Sequence, residues 1–169
     1  MTNIQLCDVP MHVFLRRYKD CHGYADCYTV EVPGAFTQQQ FVEAFYTSAL
    51  FKLERTMLRY LASRPATDAD AKLLAAGEVS RFSAWRVEAQ SASELLLADF
   101  TGRTRSWLMV APGTQPAHTR LYFGSAVVPQ ASRGAGAPGM GWPFHALLGF
   151  HRLYSRLLLG AARRRLGAG

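Results

Sequence analysis

The side chains best suited to chemistry lie near the end of the chain. His151, Tyr154 and Ser155 fall at helical spacing within an otherwise apolar stretch, so a helix places them on one stripe. Histidine titrates near neutral pH and serves as a general acid or base, and a tyrosine hydroxyl can orient a ligand oxygen. His151 and Tyr154 are therefore the candidate catalytic pair if a reaction occurs. The alternative is that both are core residues whose hydrogen bonds go to neighbouring elements.

Apolar residues share that stripe. Leu147 and Leu158 lie on it together with Ser155. A pocket lined by apolar groups with a few convergent polar ones is typical of a small-molecule site. We therefore predict that Leu147, Ser155 and Leu158 contact a ligand.

Glu54 interrupts a second apolar stripe, between its neighbours Leu50 and Leu58. A carboxylate in that place needs a partner, because burying it alone is costly. One interpretation makes Glu54 a ligand-binding carboxylate in the pocket. The other makes it half of a structural ion pair with an arginine such as Arg86 or Arg105.

Aromatic residues on neighbouring strand patterns form a third candidate set. Trp85, Trp107 and Met109 are predicted to line the ligand site, with the indole rings stacking on a flat molecule. Filling of the core by the same side chains is the competing interpretation. Asp99 precedes a Thr-Gly turn, where it either stabilises a hairpin or caps the mouth of the cavity.

These residues need elements to position them. Residues 1–23 indicate a short strand or an ordered tail, Tyr24–Val32 a strand, and Thr37 with Gln40 the capping box of a helix. A second helical pattern ends at Pro65, and a short helix or turn ends at Gly77. The closing helix is predicted over 142–166. The four remaining strand patterns are Arg81–Gln90, Glu94–Phe100, Thr104–Ala111 and His118–Val128.

Short links between the last four strands favour an antiparallel meander. The predicted fold class is therefore α+β, a curved antiparallel β-sheet wrapped around a long C-terminal α-helix, within a single domain spanning 1–169. The Gly/Pro-rich segment 129–141 is either a lid over the cavity or a passive linker. Phe36, Phe41 and Phe45 are expected to pack between helices and sheet.

This order of elements resembles the helix-grip fold of the START superfamily, also called SRPBCC or polyketide-cyclase-like, and several strings resemble a bacterial branch of it. The resemblance implies a hydrophobic cavity between sheet and helix. It carries over no catalytic residues, and the Rieske-type ligand pairs of iron-binding relatives are absent. The similar strings are 51–55, 83–88, 99–107, 121–127 and 143–145.

Composition limits the remaining options. The net charge of +7 is thinly spread except at Arg163–Arg165, where cations also complement the end of a helix dipole. We expect no nucleic-acid partner, since no basic stripe with interleaved aromatic residues is visible. Three cysteines form no disulfide framework or zinc pattern, so we expect no metal, no cofactor and reduced thiols in a cytoplasmic protein. No stretch is apolar enough for a membrane span, and the oligomeric state stays open.

The leading functional prediction is binding of a small hydrophobic ligand, lipid-like or aromatic and polyketide-like, between the sheet and the C-terminal helix. One alternative is an enzyme of the cyclase or dehydratase kind that uses His151 and Tyr154. Another is a protein-interaction module that acts through the basic C-terminal end. The first requires only a cavity, whereas the second requires a catalytic constellation.

Overall fold

The computed structural model describes residues 3–21, 23–53, 66–128 and 142–167, and for 142–152 it describes the backbone alone. The helices and strands, in chain order, are β1 (Gln5–Cys7), α1 (Arg16–Asp20), β2 (Tyr24–Pro33), α2 (Gln38–Tyr46), α3 (Asp68–Ala76), β3 (Arg81–Phe82), β4 (Trp85–Gln90), β5 (Glu94–Asp99), β6 (Thr104–Pro112), β7 (His118–Val127) and α4 (Trp142–Leu166). Residues 49–53 are helical as well.

The strands form one open antiparallel sheet of seven, in the order β1-β2-β7-β6-β5-β4-β3. The longest strands, β2 and β7, pair in unbroken register from Tyr24 opposite Val127 to Pro33 opposite His118. The α+β class, the antiparallel meander and the closing helix are therefore confirmed.

The predicted strand Arg81–Gln90 is wrong in one respect, because it is two strands. β3 and β4 form a tight hairpin in which Phe82 pairs with Trp85 across Ser83 and Ala84. Ser83 has a φ of 52°, a left-handed conformation that side chains other than glycine adopt rarely. Nothing in the local composition marks a turn there, so the pattern reads as continuous.

Two helices begin with reciprocal side-chain caps. The Thr37 hydroxyl accepts a hydrogen bond from the Gln40 amide, and the Gln40 side chain accepts one from the Thr37 amide, as predicted. Thr67 and Asp70 make the same arrangement at the start of α3. That helix ends at Gly77, whose φ of 77° suits a residue without a side chain.

The main core lies between these helices and one face of the sheet. Phe45 is its centre, with ring centroids 4.9 Å from Phe123, 5.1 Å from Tyr46 and 6.0 Å from Phe51. Phe41 and Phe45 are fully buried, and Phe36 packs against the same cluster, which confirms their expected core role. Leu158, Leu159 and Ala162 of α4 complete the cluster.

The segment before β2 covers the opposite face of the sheet. Val9 and Leu15 pack there with Cys27, Leu96 and Trp107 in a second buried cluster. Glu94 joins the segment to the sheet, because its Oε2 accepts hydrogen bonds from the Phe14 amide and the Trp107 indole, both at 2.9 Å. The described residues between β1 and β2 thus form a second layer on the sheet.

Candidate ligand site

Three of the residues predicted for the site share the core-facing side of α4. Ser155 and Leu158 are 1% and 3% exposed, and Tyr154 is half-buried against the main core. The Ser155 hydroxyl is buried and has no hydrogen-bond partner among the described residues. His151 and Leu147 lie on the same helix, but their side chains are outside the described residues, as is all of Glu54. The catalytic and binding roles of these residues stay predictions.

The two tryptophans do not meet. Trp85 packs against the helix-side core, and its indole nitrogen is buried without a hydrogen-bond partner in the described part of the chain. Trp107 is fully buried in the second cluster, and Met109 packs against that cluster too. Side chains alternate along β6, so Trp107 and Met109 point away from the sheet face against which Leu158 of α4 packs. A single cavity beside α4 cannot be lined by both sets.

Asp99 stabilises its hairpin. One carboxylate oxygen accepts from the Thr104 amide at 2.9 Å, and the other accepts from the Thr101 amide at 3.2 Å. Burial acts to raise the pKa of Asp99, but a hydrogen bond from the Thr101 hydroxyl, followed by those from the backbone amides, outweighs it and lowers the pKa. The same hairpin lines a surface pocket of about 440 Å³ beside Trp85, with Arg81 and Arg86 on its rim.

Arg105, one of the two arginines considered as a partner for Glu54, pairs with Glu88. Its Nε lies 2.6 Å from Glu88 Oε2, and Arg17 and the Tyr18 hydroxyl contact the other carboxylate oxygen. The Tyr18 ring also lies 4.8 Å from the Arg105 guanidinium. Burial acts to raise the pKa of Glu88, but the Tyr18 hydrogen bond and the two arginines lower it. The cluster fastens α1 to the sheet.

A buried polar group that the sequence analysis missed lies on the helix-facing side of the sheet. Asp26 is 6% exposed, and its carboxylate accepts from the Ser125 hydroxyl at 2.6 Å and from the Tyr24 hydroxyl at 3.1 Å. Asp26 has the same parity on β2 as Tyr28 and Val30, which belong to the main core. An aspartate at a core-facing position of a strand was the available signal.

Among the described residues, an apolar groove lies between residues 48–53 and α4. Its walls are Leu50 and Leu53 on one side and Leu157 and Ala161 of α4 on the other, and its volume is about 660 Å³. Sites for small molecules commonly occupy about 300–1,000 Å³. Leu53 and Leu157 are 60% and 48% exposed, so the groove is an open apolar surface.

The groove has a charged end. Arg164 and Arg165 also line it, since positions 157, 161 and 164 recur at helical spacing. Both arginines are exposed, and within the described ranges neither forms an ion pair. Nearby lysines are already paired, Lys52 with Asp68 at 2.6 Å and Lys72 with Glu43 at 3.8 Å. The two guanidinium groups are therefore available to an anion.

Within the described ranges, no three or more histidine, cysteine, aspartate or glutamate side chains lie close enough together to hold a metal ion. In the same part of the chain, no helix has both the length and the hydrophobicity needed to span a bilayer. No protein-family model, curated protein or solved structure matches this sequence.

Proposed function

We propose that this protein binds a small amphiphile, with an apolar tail and an anionic head, along its C-terminal helix. The observation that carries the proposal is the groove of about 660 Å³ with leucine and alanine walls and, at one end, two arginines that form no ion pair with any described residue. This retains the hydrophobic ligand expected from the sequence and adds a headgroup of defined charge.

The tail accounts for the apolar walls. Removing apolar surface from water stabilises a complex by roughly 25 cal/mol per Å², and Leu53 and Leu157 both keep about half of their surface in solvent. Leu153, one turn before Leu157, is 57% exposed and extends the same stripe. A flexible acyl chain fits a long open groove better than a rigid ring system does.

The head accounts for the arginines. A guanidinium group binds carboxylate or phosphate through paired hydrogen bonds, and two adjacent groups strengthen the attraction. A cationic amphiphile of equal length would gain the same apolar contacts but would be repelled at this end. A preference for the anionic amphiphile over the cationic one therefore distinguishes a specific site from a nonspecific hydrophobic surface.

The proposed site differs from the cavity that the helix-grip resemblance implies. An antiparallel sheet with a long C-terminal helix across it is the arrangement of helix-grip proteins, and we extend that resemblance to this chain. In the described residues, the centre of the sheet–helix interface is filled by Phe41, Phe45 and Phe123. We therefore assign the ligand to the groove between residues 48–53 and α4.

The test is calorimetric titration of the protein with dodecanoate, with dodecyltrimethylammonium as the matched cation and hexanoate as the short-chain anion. We expect saturable binding of dodecanoate and at least tenfold weaker binding of the other two. Equal affinity for the cation would remove the role of the arginines. Absence of dodecanoate binding would overturn the proposal.

Variants locate the site. Leu157→Asp places a carboxylate in the exposed groove wall and should reduce dodecanoate binding at least tenfold. Arg164→Glu combined with Arg165→Glu should reverse the preference towards the cation. Arg86→Glu is the control, since Arg86 is an exposed arginine on β4. If the double charge reversal leaves binding unchanged while abolishing capture of another protein, the basic end is an interaction module instead.

A further inference from the structure

Two of the three cysteines face each other across neighbouring strands. Cys7 of β1 is the register partner of Cys27 of β2, and their Sγ atoms lie 3.2 Å apart. Facing residues in antiparallel strands have Cα atoms about 4.5–5.5 Å apart. A disulfide accepts Cα separations of about 4.4–6.8 Å, so the backbone already has the spacing that a bond requires.

The two thiols differ in access. Cys7 is half-buried on an edge strand, whereas Cys27 is fully buried in the second cluster. The hydrogen bond with Cys27 lowers the pKa of Cys7 against the opposing effect of burial, and the Arg120 charge adds to the lowering. The same hydrogen bond, followed by burial, raises the pKa of Cys27. Because Cys7 is the accessible thiol of the two, we assign the attack to Cys7, and buried Cys27 keeps its proton until the second step.

We propose that Cys7 and Cys27 form a peroxide-reactive dithiol that closes to a cross-strand disulfide. The substrate class is a hydroperoxide, with hydrogen peroxide as its simplest member. Neither the geometry nor the reaction involves the groove along α4, so this site is independent of the proposed ligand function.

The steps balance. The Cys7 thiolate attacks one oxygen of hydrogen peroxide, the O–O bond breaks, and the departing hydroxide takes a proton to become water. Cys7 is then a sulfenic acid. The Cys27 sulfur attacks the Cys7 sulfur, the S–O bond breaks, and the second hydroxide leaves as water with the Cys27 proton. Two thiols lose two electrons and two protons, and one peroxide becomes two waters.

Cys21 is the internal comparison. It is exposed at the C-terminal end of α1. The hydrogen bond between sulfur atoms joins the other two cysteines, Cys7 and Cys27. Exposure alone would make Cys21 the most oxidisable thiol. The proposal instead requires an intramolecular bond between Cys7 and Cys27 that forms without Cys21.

The experiment treats the Cys21→Ser protein with stoichiometric hydrogen peroxide, followed by intact mass measurement and peptide mapping under non-reducing conditions. We expect loss of two hydrogen atoms and a single peptide pair linked through Cys7 and Cys27. Oxygen addition at Cys7 with Cys27 still free would overturn the proposal. A bond between two copies of the chain would overturn it as well.

A second measurement covers the possibility that altering buried Cys27 disturbs folding. In the Cys21→Ser background, Cys7→Ser changes a half-buried edge position and leaves Cys27 as the remaining thiol, which should stay unmodified by peroxide. Cys27→Ala should let dimedone trap the Cys7 sulfenic acid, which the parent loses to disulfide closure. Equal dimedone labelling in parent and Cys27→Ala would contradict the proposal.

Discussion

Glu31 shows how one half-buried carboxylate fixes a loop to the sheet. Its Oε1 accepts from Arg120 Nη2 at 2.5 Å and Nε at 3.0 Å, and from the Thr114 amide at 3.0 Å. The Arg120 hydrogen bonds, followed by those of Thr114, lower the pKa of Glu31 from 4.5 to about 2. The hairpin between β6 and β7 is thereby held against β2.

A pH-dependent contribution to stability follows. Because the pKa of Glu31 is lower in the folded protein, its contribution is fully present above pH 4.5 and is lost as the pH falls towards about 2. Glu31→Gln should therefore lower the melting temperature near neutral pH, and the difference from the parent should vanish near pH 2. Thermal unfolding followed by circular dichroism across this range measures it.

Arg120→Leu is the matched background for that measurement. Without the guanidinium group, the effect of Glu31→Gln should shrink to the part due to the Thr114 hydrogen bonds, with a correspondingly smaller pH dependence. An undiminished pH dependence in that background would assign the effect to a group other than the Glu31–Arg120 pair.

At the scale of elements, the sequence predicted the turns and helix caps whose residues favour that local conformation. Thr37 with Gln40 begins α2 as predicted, and Gly77 ends α3. The turn at Ser83 was not predicted, because serine does not favour the positive φ that this residue adopts. Local chemistry predicts an element boundary only when the residue itself favours that conformation.

The cap of α3 allows a direct test. Thr67→Ala removes the hydroxyl that accepts from the Asp70 amide, so it should lower the free energy of unfolding by about 1 kcal/mol. Thr67→Ser retains the hydroxyl and should cost less than half as much. Urea unfolding of both variants gives the comparison, and equal losses would show that the methyl group, not the cap, matters.

At the scale of the whole molecule, the sequence could predict which side chains share a strand face but not what covers that face. Alternation separates Trp107 and Met109 from Leu108 correctly. That the N-terminal segment takes the second face depends on long-range pairing of β1 with β2. Because the sequence does not show that pairing, Trp107 and Met109 on β6 were predicted to face α4.

Gly124 tests the docking of that second layer. A Cβ atom there would lie 2.5 Å from Leu15 Cδ2 and 2.9 Å from the Asp26 carbonyl oxygen. Gly124→Ala should therefore lower the free energy of unfolding by about 1–3 kcal/mol. Leu15→Ala in the same protein removes one clash, so the double variant should lose less than the sum of the two single losses. Strict additivity in urea unfolding would mean that the N-terminal layer had moved away.

The unequal strand lengths have a consequence for self-association. The ten-residue strands β2 and β7 are second and third in the sheet, while the outermost strands β1 and β3 have three and two residues. Unpaired backbone at a sheet margin is what recruits further strands in amyloid and in strand-swapped dimers. Within the described residues, β1 pairs with β2 only from Cys27 to Thr29, so a strand added by a second copy would meet β2 on either side of β1.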